Sequence, residues 1–125
     1  AFGESIEEAF TNAAKGTINV MFDNEKIHGN HKLDIRVEGV DHYELLFNWL
    51  EAVYQIMITD NRVMSKFDIK ISQIDSKYEL TGWVTAEPID ITKHGYRTEI
   101  KGITYHAMEI LREGKKHTVR FILDL

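Results

Sequence analysis

The hydrophobic period of this chain changes along its length, and that change restricts the folds open to it. Over residues 4–22 and 42–59 the apolar side chains recur three and four apart; over 32–38, and again after the second of those segments, they recur two apart. A period of 3.6 makes a helix with one apolar stripe, and a period of two makes a strand with one apolar face. The first stripe is Ile6, Ala9, Phe10, Ala13, Ala14, Thr17 and Met21, and Ser5 followed by Glu8 has the form of a capping box. Gly16 opposes this helix by roughly 1 kcal/mol relative to Ala. The second stripe is Leu46, Trp49, Leu50, Val53 and Met57, widened by Leu45 and Tyr54. Asp41 is placed to cap it, with Glu44 three residues on.

The strands follow from alternation. Leu33, Ile35 and Val37 share a face opposite Lys32, Asp34, Arg36 and Glu38. Phe67, Ile69 and Ile71 form a second row, and Tyr78, Leu80 and Val84 a third, with Asp75-Ser76-Lys77 as the turn between them. Residues 98–111 are read as a strand. Ala107-Met108-Glu109-Ile110-Leu111 also has helical spacing, but Glu113-Gly114-Lys115 marks a turn into a last strand with Val119, Phe121 and Leu123 on one face. Short connections favour antiparallel pairing. Two amphipathic helices need an apolar surface to cover. The expected architecture is therefore α+β, a two-layer sandwich of two helices packed on a mostly antiparallel sheet.

Length and composition fit a single domain over residues 1–125. With 43% hydrophobic and 28% charged residues, the chain can build one core without staples. It has no cysteine, which removes disulfides, thiolate metal sites and a cysteine nucleophile together. The absence also fits a reducing compartment such as the cytoplasm. The formal charge is −5, from 15 basic and 20 acidic residues, so tight direct binding to RNA or DNA is disfavoured. No apolar run approaches the roughly 18 residues needed to cross a bilayer.

Chemistry-bearing residues concentrate between Glu87 and His106, where Asp90, Lys93, His94, Arg97, Glu99 and Lys101 also lie. Glu99 and Lys101 fall on one face if that stretch is a strand. The plainer reading is an exposed loop running into a charged edge strand, since surface charge pairs are common and weak. Asp124 ends an apolar strand beside the main-chain carboxylate of Leu125, and oxygen donors so grouped suit Mg²⁺ or Ca²⁺; a solvated chain end is the alternative. His28 and His31 read as a polar loop, and His94 and His117 as surface residues. His106 reads as a partly buried histidine, and Met21, Met57, Met64 and Met108 as core or gap-filling residues. Walker, dinucleotide-binding, zincin and nucleophile-elbow motifs are all absent.

Four stretches stand out together: Phe2 to Phe10 (FGESIEEAF), Asp41 to Leu50 (DHYELLFNWL), Asp90 to His106 with KH, TEIK and TYH in order, and the ending Ile122-Leu123-Asp124-Leu125. In this order they resemble the archease family, small proteins that assist RtcB-type RNA ligases. Ala86 and Gly102 depart from the family pattern, small for small. The resemblance implies that the family's first strand, with a His-Thr-Ala-Asp segment, would precede Ala1-Phe2-Gly3. It also implies that the aspartate of that segment shares a divalent cation, Ca²⁺ or Mg²⁺, with Asp124, so this chain would carry part of the site.

By the same resemblance the protein is an accessory factor and not an enzyme. It would promote guanylylation and repeated turnover of an RtcB-type ligase in tRNA splicing and RNA repair. Lys93, Glu99 and Lys101 would act beside the ligase nucleotide site, and Asp124 with Leu125 would hold the metal. Its partner would be the ligase, with tRNA or RNA reached only through it and no role for DNA or a membrane. Its location would be the cytoplasm, with a nuclear pool as well in a eukaryotic cell. Two other classes stay open: a metal-dependent enzyme acting on nucleotides or phosphate esters, and a plain protein-interaction module.

Overall fold

In the computed structural model, which describes residues 1–125, both helices form where the 3.6 period lies. Helix α1 spans Ile6–Met21 and α2 spans His42–Ile58. Each is capped as its sequence requires. Ser5 Oγ accepts from the Glu8 N–H at 3.1 Å, and Asp41 Oδ1 accepts from the Glu44 N–H at 2.8 Å. Glu44 answers by accepting from the Val40 N–H at 3.2 Å, so donors at that helix start are satisfied from both sides. Gly16 does not interrupt α1, because it lies on the exposed side with open space around it.

The strands are β1 (Phe2–Gly3), β2 (His31–Gly39), β3 (Arg62–Ile74), β4 (Lys77–Pro88), β5 (Gly102–Glu113) and β6 (Lys116–Asp124). All pairings are antiparallel. The strands form two three-stranded sheets, ordered β1-β6-β5 and β2-β4-β3. The expected class, two helices packed on antiparallel sheet, is therefore what forms, with the sheet divided in two. The division falls where β4 ends: residues 89–101 leave one sheet and enter the other without pairing. Each helix touches both sheets. Helix α1 meets β3 as well as β1 and β6, and α2 meets β2, β3 and β4 as well as β5.

The core is built from the stripes read in the sequence. Phe10, Ile18, Leu45, Leu46, Trp49, Leu50 and Val53 are fully buried, alongside Val63, Leu80, Val84 and Val119 from the sheets. Each large side chain so buried contributes about 1.5–3 kcal/mol. Two polar groups within it are satisfied locally. Trp49 Nε1 donates to the Phe10 carbonyl at 2.9 Å, and Thr17 Oγ1 donates to the Ala13 carbonyl, also at 2.9 Å.

Both expected hairpin turns are present, with Asp75 and Gly114 at positive φ (56° and 60°). Two elements were not foreseen: the short β1, which pairs Phe2 with Thr118, and a 3₁₀ turn at Asn24–Lys26. Two and three residues are too few to show a period. The segment with mixed signals, 107–111, is strand, but the ladder slips between Thr104 and Glu109, with Ala107 at φ 64°. This bulge explains why its alternation was broken.

Candidate functional site

The crossing segment between β4 and β5 carries most of the chemistry, and the structure separates it into two groups. The first surrounds Glu87, at the end of β4. Its carboxylate accepts from Lys93 Nζ at 2.6 Å and from the His28 N–H at 2.5 Å. His94 is fully buried. Its Nδ1 accepts from the Asp90 N–H at 2.9 Å, which leaves the ring proton on Nε2, 3.4 Å from Glu87 Oε1. That Nε2 has no closer partner. The His94 main chain is held as well: its N–H reaches the Asp90 carbonyl at 2.8 Å, and its carbonyl accepts from the Asp23 N–H at 2.9 Å.

Burial alone would raise the Glu87 carboxyl. The Lys93 ammonium, the His28 N–H and His94 together outweigh it and hold the group below its ordinary value.

The second group lies where the chain enters β5. Residues 98–101 are not part of the strand, which begins at Gly102. The expected strand start at 98 is corrected for a specific reason: the Ile100 carbonyl is taken by the Tyr54 hydroxyl of α2, at 2.8 Å, instead of by a neighbouring strand. The backbone remains extended enough that Ile100 is fully buried while Glu99 and Lys101 on either side are exposed. Glu99 and Lys101 thus flank the buried Ile100, each reaching solvent. The Lys101 N–H donates to the Asp124 carbonyl at 2.6 Å, and Gly102 pairs with Asp124 in the ladder. Burial raises the pKa of the Tyr54 hydroxyl, and the carboxylates of Glu99, Glu51 and Asp124 raise it further. Carboxylates from α2, from the crossing segment and from β6 thus act on one point.

Lys101 and Asp124 are thus joined through their backbones, and the Glu99 and Asp124 carboxylates both act on the Tyr54 hydroxyl at this corner. Lys93 is engaged by Glu87, and no hydrogen bond or ion pair links it to that corner. Asp124 is exposed, and Leu125 beyond it is 60% exposed. By type the donors suit a hard cation, since all are oxygens. They are not gathered into a cage: no three metal-ligating side chains come close enough together to hold an ion.

Among the histidines, His94 is the correction. The sequence suggests a surface residue, but His94 is fully buried, because Phe22 and the turn at Asp90 close over it. His106, expected to be partly buried, is exposed, carried outward on the bulge of β5. His28 and His31 are exposed, and Asp41 is a cap. Sequence reasoning missed Tyr54 and Glu51 as members of the corner. Tyr54 belongs to the apolar stripe of α2, and only its hydroxyl betrays a second role.

The profile of the Archease protein family (MTH1598/TM1083) matches residues 1–125. The chain belongs to the archease family. It is 36% identical over 125 residues to Protein archease of Methanothermobacter thermautotrophicus, covering 100% of this chain and 89% of that protein. It is 31% identical over 125 residues to Protein archease of Sulfurisphaera tokodaii, covering 100% and 88%. Protein archease of Pyrococcus furiosus is 38% identical over 111 residues, 89% of this chain and 78% of that one. Among solved structures, the solution structure of Methanobacterium thermoautotrophicum protein 1598 superposes with a TM-score of 0.85 at 33% identity, covering 100% of this chain and 89% of the other. Archease membership agrees with an accessory protein. No helix is long and apolar enough to cross a membrane.

Proposed function

We propose that this archease family member is an accessory activator of an RtcB-type RNA ligase, promoting guanylylation of the ligase and its repeated turnover. The observation that carries the proposal is the corner where Lys101 is bonded through its backbone to Asp124, at the end of the segment that also carries Glu99. Nucleotidyl transfer needs charge stabilisation and positioning more than covalent chemistry from the protein. A lysine supplies a point charge for a phosphate. Asp124, with Leu125, would hold a divalent cation, Mg²⁺ or Ca²⁺, through oxygen donors. Bound there, the cation supplies charge neutralisation on phosphate oxygens.

The chain's own residues set the stage for this. Glu99 and Lys101 carry opposite charges two positions apart, both exposed, and Lys101 would meet a phosphate as a point charge. Lys93 is a second cation, held by Glu87. It would meet the ligase from the other end of the crossing segment. RNA would be reached through the ligase, in keeping with the acidic net charge. Reconstitution with a cognate ligase, GTP and Mg²⁺ tests this: the protein is expected to accelerate ligase guanylylation, and no acceleration at any ratio would refute it. Turnover of nucleotides by the purified protein alone would instead support a metal-dependent enzyme.

A further inference from the structure

We infer that Tyr54 is the positioning residue of this corner: its hydroxyl bond to the Ile100 carbonyl sets Glu99 and Lys101 in place beside Asp124. The inference rests on the activator reading for its functional consequence, but its geometry stands apart from it. Between Tyr96 and Lys101 the chain belongs to no helix or strand. Its fastenings are few. Arg97 donates from its N–H to the Met21 carbonyl at 2.7 Å and from its guanidinium to the Asn19 carbonyl at 2.9 Å. Lys101 is tied to Asp124 at 2.6 Å. Between these two anchors the Tyr54 hydroxyl is the one side chain that reaches the backbone, and it does so at the residue that separates Glu99 from Lys101. The Ile100 carbonyl lies in the peptide that leads into Lys101, one residue after Glu99, so loss of this bond frees the backbone that carries both charges.

The pin is mounted on a rigid base. Leu50, Val53 and Met57, within one turn of Tyr54 on α2, are all buried in the core. Burial and the surrounding carboxylates of Glu99, Glu51 and Asp124 raise the Tyr54 pKa, so the phenol stays protonated and a donor at neutral pH. An aliphatic or phenylalanine side chain would fill the same stripe but leave the Ile100 carbonyl without this partner.

The test is Tyr54→Phe, which removes one oxygen. The rate of ligase guanylylation is measured against activator concentration, with GTP and Mg²⁺, beside thermal melts of each protein. The maximal stimulation is expected to fall by roughly tenfold to a hundredfold, as for a misplaced reacting group. The half-saturating concentration and the melting temperature are expected to stay near wild type. Full maximal stimulation overturns the inference, including the case where only half-saturation and melting shift, because that pattern marks a purely structural role. If the wild-type protein itself fails to stimulate, the activator reading falls, and amide NMR spectra of Tyr54→Phe decide the positioning separately. Displacements concentrated on Glu99, Lys101 and Asp124 sustain it; unchanged resonances there overturn it.

Discussion

The backbone N–H of Lys101 lies 2.6 Å from the carbonyl oxygen of Asp124, and this bond places the last charged residue before β5 against the last residue of β6. Two residues 23 positions apart in the sequence thus share one corner, with both side chains exposed. The main chain makes the bond, so the Asp124 carboxylate is free of structural duty. Asp124→Ala is expected to abolish stimulation of ligase guanylylation while changing stability by no more than about 0.5 kcal/mol, the usual effect at a surface position. Parallel guanylylation assays and denaturant melts check both halves. Undiminished stimulation would remove Asp124 from the proposed mechanism.

Glu87 is expected to set part of the acid limit of the fold. Its carboxyl is held below the ordinary value by Lys93, His28 and His94, which overcome the opposing effect of burial. A carboxylate depressed in the folded state stabilises above its unfolded value, about 4.3, and loses that contribution as pH falls through the lower folded value. Glu87→Gln should cost about 1–3 kcal/mol at pH 7, because it weakens a largely buried network. It should also flatten the loss of stability below about pH 4. Urea unfolding of both proteins from pH 7 down to 2.5 is the measurement. An equally steep acid limb in the variant would show that other carboxylates dominate.

His42 is expected to act at milder pH. Burial lowers its pKa, Asp41 partly opposes this, and His117 adds to the lowering. Its ring packs on Tyr78, with centroids 4.2 Å apart. A histidine kept neutral by the fold stabilises above its unfolded pKa, about 6.5, and that contribution is lost as pH falls from there toward the folded value. Wild-type stability should therefore rise with pH across this window, and His42→Gln should show a shallower rise. Melting temperatures taken between pH 5 and 8 would reveal it.

Two glycines should respond to alanine in opposite directions. At Gly82, in the middle of β4, φ is +155° and an added Cβ would stand 1.9 Å from the Asp68 carbonyl oxygen. Gly82→Ala combines backbone strain of about 1–3 kcal/mol with overpacking of about 1–3 kcal/mol. At Gly16 an added Cβ meets nothing within 4 Å. Gly16→Ala should stabilise helix α1 by about 0.5–1 kcal/mol. Denaturation midpoints of the two variants give the signs directly.

By itself the sequence determined the two helices, their caps, the faces they bury and the antiparallel character of the strands. These depend on period and on local hydrogen bonding, which act over a few residues and are written in consecutive side chains. It also marked Glu99, Lys101 and Asp124 as residues worth attention, through motif and resemblance. Tertiary structure decided the rest. The division into two sheets depends on where residues 89–101 cross, and that depends on partners far away in sequence, such as Met21, Tyr54 and Asp124. The separation of Lys93 from the Glu99–Lys101–Asp124 corner, and the burial of His94 behind Glu87, arise in the same way. A polar residue's partner is chosen in space, and neither its type nor its spacing names a hydroxyl 46 residues away.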